Sequence, residues 1–265
     1  MRDNLELPQL ESSDINIFFI QEDDISDQYM EECKKWLSDD EIIRYTNYYF
    51  EKDRREYLLG KILTRFVLSF YTEIPAEKLI FKKNDFGKPV LKNASNIAFN
   101  LSHCSGVNVL AVSMAGSVGI DLERLNRKHA SLSLINSFCS PTELSDFSGV
   151  DDKNRVNRFF LLWTLKESFV KSLGKGLSFP LADVTFDLNE ETNNMSLSRS
   201  IDNGLKFWDS ETIFFCDDYL CTSMLLSSNV VMPDKKYYRI IENENCCLFV
   251  PQVYHKGVGK IEIHS

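Results

Sequence analysis

The chain has 265 residues, 43% of them hydrophobic, enough to bury one large core or two of about 130 residues each. Its formal net charge of -9 excludes broad nucleic-acid binding by charge, so any bound anion must be held by a local cluster of Lys and Arg. Residues 1–13 are polar and acidic and no apolar run approaches the roughly 20 residues that span a bilayer, so neither a signal peptide nor a membrane span is expected.

Seven cysteines, an odd number without CxxC spacing, and four histidines make a zinc site unexpected. Reduced thiols are the expectation for a cytoplasmic protein. Residues 14–20 (Asp-Ile-Asn-Ile-Phe-Phe-Ile) read as a buried first strand. The acidic stretch 21–27 lacks the glycine and final glutamate of a calcium loop and reads as a solvated loop. Residues 28–37 read as a short helix. Ser38 and Asp39 cap a second, to about Phe50. Asp53 opens a third over 54–71, with Leu58, Leu59, Ile62, Leu63, Phe66, Val67 and Phe70 at helical spacing.

Strands are expected at 79–82 and 90–91, around the turn Asn84-Asp85-Phe86-Gly87-Lys88-Pro89. Residues 97–102 and 108–114 flank His103-Cys104-Ser105-Gly106 as strand, tight loop, strand. Residues 132–147 read as a helix broken at Pro141, and a long helix covers 155–173, stopped by Gly174-Lys175-Gly176. Further strands are expected at 182–188, 206–207, 212–216, 219–226, 237–241 and 247–254, with an exposed loop at 189–194. Helices followed by antiparallel-looking strands occur twice, an α+β pattern that allows two similar halves with a boundary near Gly116.

Val118-Gly119-Ile120-Asp121-Leu122-Glu123 alternates apolar and polar residues, so Asp121 and Glu123 share one face of a strand. Two solvated acids at a strand end would read the same way. A hard cation such as Mg²⁺ would instead relieve their repulsion. On the long helix, Glu167 and Lys171 are four apart and share a face; alone they read as a surface salt bridge. Combined, Asp121, Glu123 and Glu167 form a candidate oxygen-ligand set, with Lys171, Lys88 and His103 as anion-binding candidates. A metal ringed by cations is the layout that phosphoryl transfer needs.

Four motifs in this order resemble the 4'-phosphopantetheinyl transferases of the larger, surfactin-synthetase-activator type: Phe86-Gly87-Lys88-Pro89, Phe99-Asn100-Leu101-Ser102-His103, Val118 to Glu123 as above, and Trp163-Thr164-Leu165-Lys166-Glu167-Ser168-Phe169-Val170-Lys171. Asp121 and Glu167 are 46 positions apart, close to the family's spacing, and the resemblance covers residues 42–188. It implies transfer of the phosphopantetheine arm of coenzyme A to a serine of an apo acyl or peptidyl carrier protein, with adenosine 3',5'-bisphosphate as the other product. It implies Asp121, Glu123 and Glu167 as Mg²⁺ ligands, Glu167 also as the base for the serine, and Lys171 with Lys166 beside it at the pyrophosphate. His103 would meet the 3'-phosphate with Ser102 in the same pocket, and Gly87, Lys88 and Pro89 would border the adenine. The family's early-helix pattern Asp-x-x-Arg-x-x-x-Gly is matched by Asp53 and Gly60, but Glu56 stands at the arginine and Tyr57 at a small hydroxyl residue. Arg44 is the remaining upstream candidate for a phosphate contact.

The expected architecture is α+β: two pseudo-twofold-related α/β halves, 1–115 on the nucleotide side and 116–265 with the metal and carrier docking, and the active site at their interface. A monomer is expected, with Arg124, Arg127 and Lys128 as a local basic patch for an acidic carrier protein. A non-catalytic paralogue that binds coenzyme A or a carrier protein is the alternative, and a Mg²⁺ phosphohydrolase a third reading.

Overall fold

The computed structural model describes residues 8–94, 96–125, 132–188, 195–197, 207–215, 218–229, 233–243 and 246–252. In chain order the strands and helices are β1 (Ile15–Gln21), α1 (Asp27–Cys33), α2 (Asp39–Asn47), α3 (Glu51–Thr72), β2 (Phe81–Lys83), β3 (Pro89–Leu91), β4 (Ala98–Cys104), β5 (Val107–Ser113) and β6 (Ser117–Arg124). There follow α4 (Ile135–Phe138), α5 (Pro141–Ser148), α6 (Asp152–Leu173), β7 (Val184–Phe186), β8 (Met195–Leu197), β9 (Phe207–Phe215), β10 (Tyr219–Ser227), β11 (Lys235–Asn243) and β12 (Cys246–Gln252). Described residues 8–84, 89–115 and 233–252 belong to one compact unit, and 85–88 with those of 116–229 to a second.

The first unit is built on a five-stranded sheet of order β12-β11-β1-β5-β4. Its central strand β1 is buried from Ile15 to Ile20, as the near-continuous apolar run requires. Helix α3 covers the sheet with Leu58, Leu59, Ile62, Leu63 and Val67, while Phe66 and Phe70 pack at the margin. Strands β4 and β5 are joined by a two-residue turn in which Ser105 (φ 48) and Gly106 (φ 85) are both left-handed. This is the hairpin geometry that suits the twist of antiparallel strands.

Two expectations for this region are corrected. The division at 115/116 does not hold to the C-terminus, because β11 returns to pair in parallel with β1 and carries β12 with it. The acidic stretch after β1 is not a solvated loop: Glu22–Asp24 is a 3-10 turn and the side chain of Asp24 is 5% exposed. Arg239 of β11 holds Asp24 through Nη2 at 2.6 Å and Nε at 3.1 Å. The residues that neutralise this acid are more than two hundred positions away, out of reach of any local pattern.

The second unit has the antiparallel sheet β6-β10-β9, with α6 packed on β6 and β10. Residues 206–207 and 212–216, expected as separate strands, fall on or beside the single strand β9. The helical segment read at 132–147 is broken as expected, into α4 and α5, and Pro141 starts α5 at its first position, where a missing N–H costs nothing. Ser140 caps that helix and Glu143 completes a capping box. Gly174 (φ 68) ends α6 as a left-handed cap, as the glycine pair predicts. The loop expected at 189–194 lies outside the described residues.

Lys166, expected at the pyrophosphate, is a core residue instead. Its side chain is fully buried and its ammonium donates to Glu143 Oε2 at 2.7 Å, Leu181 O at 3.0 Å and Val184 O at 2.5 Å. Glu143 in turn accepts from the backbone N–H groups of Ser140 (2.8 Å) and Phe186 (2.9 Å). A buried ion pair is tolerable only when both ends are hydrogen-bonded in this way. The pair ties α5, α6 and β7 together.

Gly119 of β6 sets how close α6 lies to the sheet. A Cβ there would overlap the carbonyl oxygen of Ser168 and come within 2.6 Å of Ser172 N, both helix backbone atoms that cannot yield. Gly119→Ala is therefore expected to destabilise the protein by about 3 kcal/mol, at the upper end for overpacking. Gly149→Ala, whose nearest atom would be Asp146 O at 3.5 Å, is the neutral control. Equal melting temperatures for the two variants would contradict the close-approach account.

Candidate active site

The site grows out of β6 and α6, which run in opposite directions along one another. Gly119 meets Ser168 and Ser172, Asp121 meets Lys171, and Glu123 meets Trp163. Alternate strand residues thus face successive helical turns, and Trp163, Glu167 and Lys171, four apart, share the facing side of α6. The other face of the strand, Val118, Ile120 and Leu122, is buried core. Two periodicities read in the sequence are therefore brought together in space.

Asp121 is 4% exposed and accepts from Lys171 Nζ at 2.6 Å through Oδ1. Glu167 lies beside this pair, and its Oε1 is buried without a hydrogen-bond partner. Burial raises the pKa of Glu167 above the ordinary carboxylate range, the charge of Asp121 raises it further, and Lys171 opposes both. Below Asp121, burial and then the same aspartate charge raise the pKa of the Cys221 thiol. A buried polar rung, Thr212 Oγ1 to Thr222 Oγ1 (2.9 Å) to Thr164 Oγ1 (2.8 Å), joins β9, β10 and α6 beneath the site.

Glu123, on the same strand face, has a partner of its own on α6. Its Oε1 accepts from the indole Nε1–H of Trp163 at 3.0 Å. Among the described residues no three His, Cys, Asp or Glu side chains are gathered into a group that could hold a metal ion. The carboxylates brought together are Asp121 and Glu167, with Lys171 as the cation between strand and helix. The donor set nonetheless suits a hard divalent ion: two buried carboxylates, one with an unpartnered oxygen, carry more negative charge than one ammonium offsets.

The Gly87-Lys88-Pro89 turn also differs from expectation at its lysine. Lys88 Nζ donates to Val118 O (2.9 Å), Ser172 O (3.3 Å) and Ser117 Oγ (3.4 Å). Burial lowers its pKa to about 8. Its ammonium thus bonds the backbone ends of β6 and α6 instead of presenting itself to an anion, while Gly87 (φ 90) and Pro89 stay exposed. Ser117 Oγ donates to the same Ser172 carbonyl at 2.5 Å, so this corner of the second unit is tightly bound.

In the first unit, His103 is half-exposed at the end of β4, with Nδ1 3.4 Å from Glu56 Oε2. Ser102 beside it is buried. Arg44 is exposed on α2 with its guanidinium 5.4 Å from the Tyr57 ring centre. Of the basic patch after β6, Arg127 and Lys128 lie outside the described residues, and Arg124 is matched by Asp218 at 3.3 Å. Sequence reasoning missed Glu143 as the partner of Lys166 and Trp163 as the partner of Glu123. For Glu143, the Ser140-Pro141-Thr142-Glu143 capping box was a usable signal.

The charge on Glu167 has a measurable consequence. Its folded pKa is raised, so its favourable contribution is present at low pH and is lost as the pH rises through that value. Glu167→Gln should then raise the melting temperature of the metal-free protein at about pH 8 and change it little at about pH 4. A fall at the higher pH would mean that Glu167 has a stabilising partner.

The chain matches two family models that together cover most of its length: the 4'-phosphopantetheinyl transferase superfamily over residues 117–223 and the 4'-phosphopantetheinyl transferase N-terminal model over residues 24–115. It is 32% identical over 167 residues to the 4'-phosphopantetheinyl transferase Sfp of Bacillus subtilis (strain 168), covering 63% of this chain and 73% of that one. It is 33% identical to psf-1 of Bacillus pumilus, with 67% and 76% covered. With gsp of Aneurinibacillus migulanus it shares 30% identity over 216 residues, 82% of this chain and 85% of that one. Among the described residues no helix is long and apolar enough to cross a membrane. The Asp121–Glu167–Lys171 cluster on β6 and α6 falls within the superfamily match, and with relatives alike over most of their length the chain belongs to the 4'-phosphopantetheinyl transferase family.

Proposed function

We propose that this transferase moves the 4'-phosphopantetheine arm of coenzyme A to the serine hydroxyl of an apo acyl or peptidyl carrier protein, acting as a monomer in the cytoplasm. The observation that carries the reading is the buried, unpartnered Oε1 of Glu167 beside Asp121. A raised carboxylate pKa is what a base needs to take a proton near neutral pH. Glu167 removes the serine proton, the serine oxygen bonds the phosphorus next to the pantetheine, and the bond from that phosphorus to the bridging oxygen breaks. Adenosine 3',5'-bisphosphate leaves with the electron pair.

Asp121 and Glu167 would hold a Mg²⁺ ion, and Glu123 would join them through water or after leaving Trp163. When bound, the ion supplies charge that offsets what gathers on the leaving pyrophosphate oxygen. Lys171 contributes a second cation, releasing Asp121 to bond the pyrophosphate. His103, with Ser102 beside it, is assigned to the 3'-phosphate end, and Gly87 and Pro89 to the adenine. Lys88 orders the turn that carries them through its bonds to Val118 and Ser172.

The test is a mass measurement on apo carrier proteins incubated with the enzyme, coenzyme A and MgCl₂. Addition of one phosphopantetheine is the expected result. Glu167→Gln should lower transfer by about 100-fold or more while coenzyme A binding stays within a few-fold, the usual span for removing a general base. Binding without transfer to any carrier protein would identify a non-catalytic relative. Near-normal transfer by the variant would remove Glu167 from the base role.

A further inference from the structure

Glu56 occupies an unusual place for a carboxylate. It lies on the second turn of α3, its side chain 19% exposed, with Oε2 3.4 Å from His103 Nδ1. Its Oε1 accepts the backbone N–H of Gly106 at 3.3 Å, inside the left-handed turn between β4 and β5. Both oxygens are engaged, one by the imidazole and one by the hairpin tip. The His103 bond is the largest of the influences that lower the pKa of Glu56, so it is a carboxylate at neutral pH.

The described residues lining the hollow beside Glu56 bring no surplus of positive charge. The cleft beside α3 is lined by Glu22, Lys52, Arg55, Glu56, Leu59 and Gly106, two cations against two acids. Arg55 is engaged by Glu22 through Nε at 2.7 Å and also by Asp27. The charge of Lys52 acts on Glu56 itself. A phosphate dianion arriving at His103 would meet an imidazole already engaged by Glu56, and a carboxylate that repels it.

We propose that Glu56 removes the selectivity for the 3'-phosphate of the donor, so that 3'-dephospho-coenzyme A serves about as well as coenzyme A. This rests on the assignment of His103 to the nucleotide end of coenzyme A. Glu56 is a specificity determinant that acts through His103 and by its own charge. The same bonds also order the β4–β5 turn, and a purely structural role would weaken both donors alike.

The experiment compares the two donors in kcat/KM for transfer to an apo carrier protein and, independently, in Kd by calorimetry. For the wild-type chain both ratios should lie within about threefold of one, where tenfold corresponds to about 1.4 kcal/mol. Glu56→Arg should shift both ratios at least about tenfold towards coenzyme A, mostly through KM, and leave the dephospho donor little changed. Glu56→Gln, a milder change that keeps the turn bond, should shift them in the same direction by less. A wild-type preference for coenzyme A of about tenfold or more, ratios unmoved in both variants, or no binding of either donor would overturn the proposal. Equal binding of both donors without transfer would overturn the functional reading and leave this one standing.

Discussion

The backbone contact at Gly119 is the constraint on which the second unit depends. With no side chain at that position, the carbonyl of Ser168 and the amide of Ser172 lie almost against the strand. Any larger residue would push α6 outward. Because β6 and α6 run in opposite directions, this single close approach sets the spacing of the residues further along: Asp121 against Lys171, and Glu123 against Trp163. The helix cannot slide, since Ser117 and Lys88 both bond the carbonyl of Ser172 and the Glu143–Lys166 pair anchors its other side.

From that spacing follows an electrostatic imbalance. Asp121 and Glu167 are carried into low-polarity surroundings by elements that pack too closely to let them separate. Lys171 bonds Asp121, and Glu167 keeps a buried oxygen with no partner. Proteins rarely leave such an atom unsatisfied, and where they do the position is a candidate for ligand or proton chemistry. The same helix supplies the contrast one residue away. Lys166 is fully buried, yet each of its donors has an acceptor, so it is structural.

Much of this was legible in the sequence because it follows from local period. The alternation from Val118 to Glu123 specifies a strand with Asp121 on the polar face, and the four-residue step from Glu167 to Lys171 specifies one side of a helix. The assignments that failed needed distant partners. Lys166 was grouped with its neighbour Glu167, although one step along a helix turns a side chain by about 100° and points it into the core. For Glu123, nothing local reveals that an indole N–H reaches its carboxylate, so the bond to Trp163 was not legible. The return of β11 to β1 depends on sheet order, which no segment records by itself. In the acidic turn after β1, Asp24 looked solvated until Arg239 was beside it.

The account stands on the charge state of Glu167, and a carboxyl-carbon NMR titration of that side chain reads it directly. In the metal-free protein the pKa of Glu167 should lie above the ordinary carboxylate range, and it should fall in Asp121→Asn, which removes a repelling charge. MgCl₂ should lower it in the wild-type chain, as a cation favours the charged form. An ordinary pKa in the metal-free protein, unmoved by Mg²⁺ and by the loss of Asp121, would contradict it.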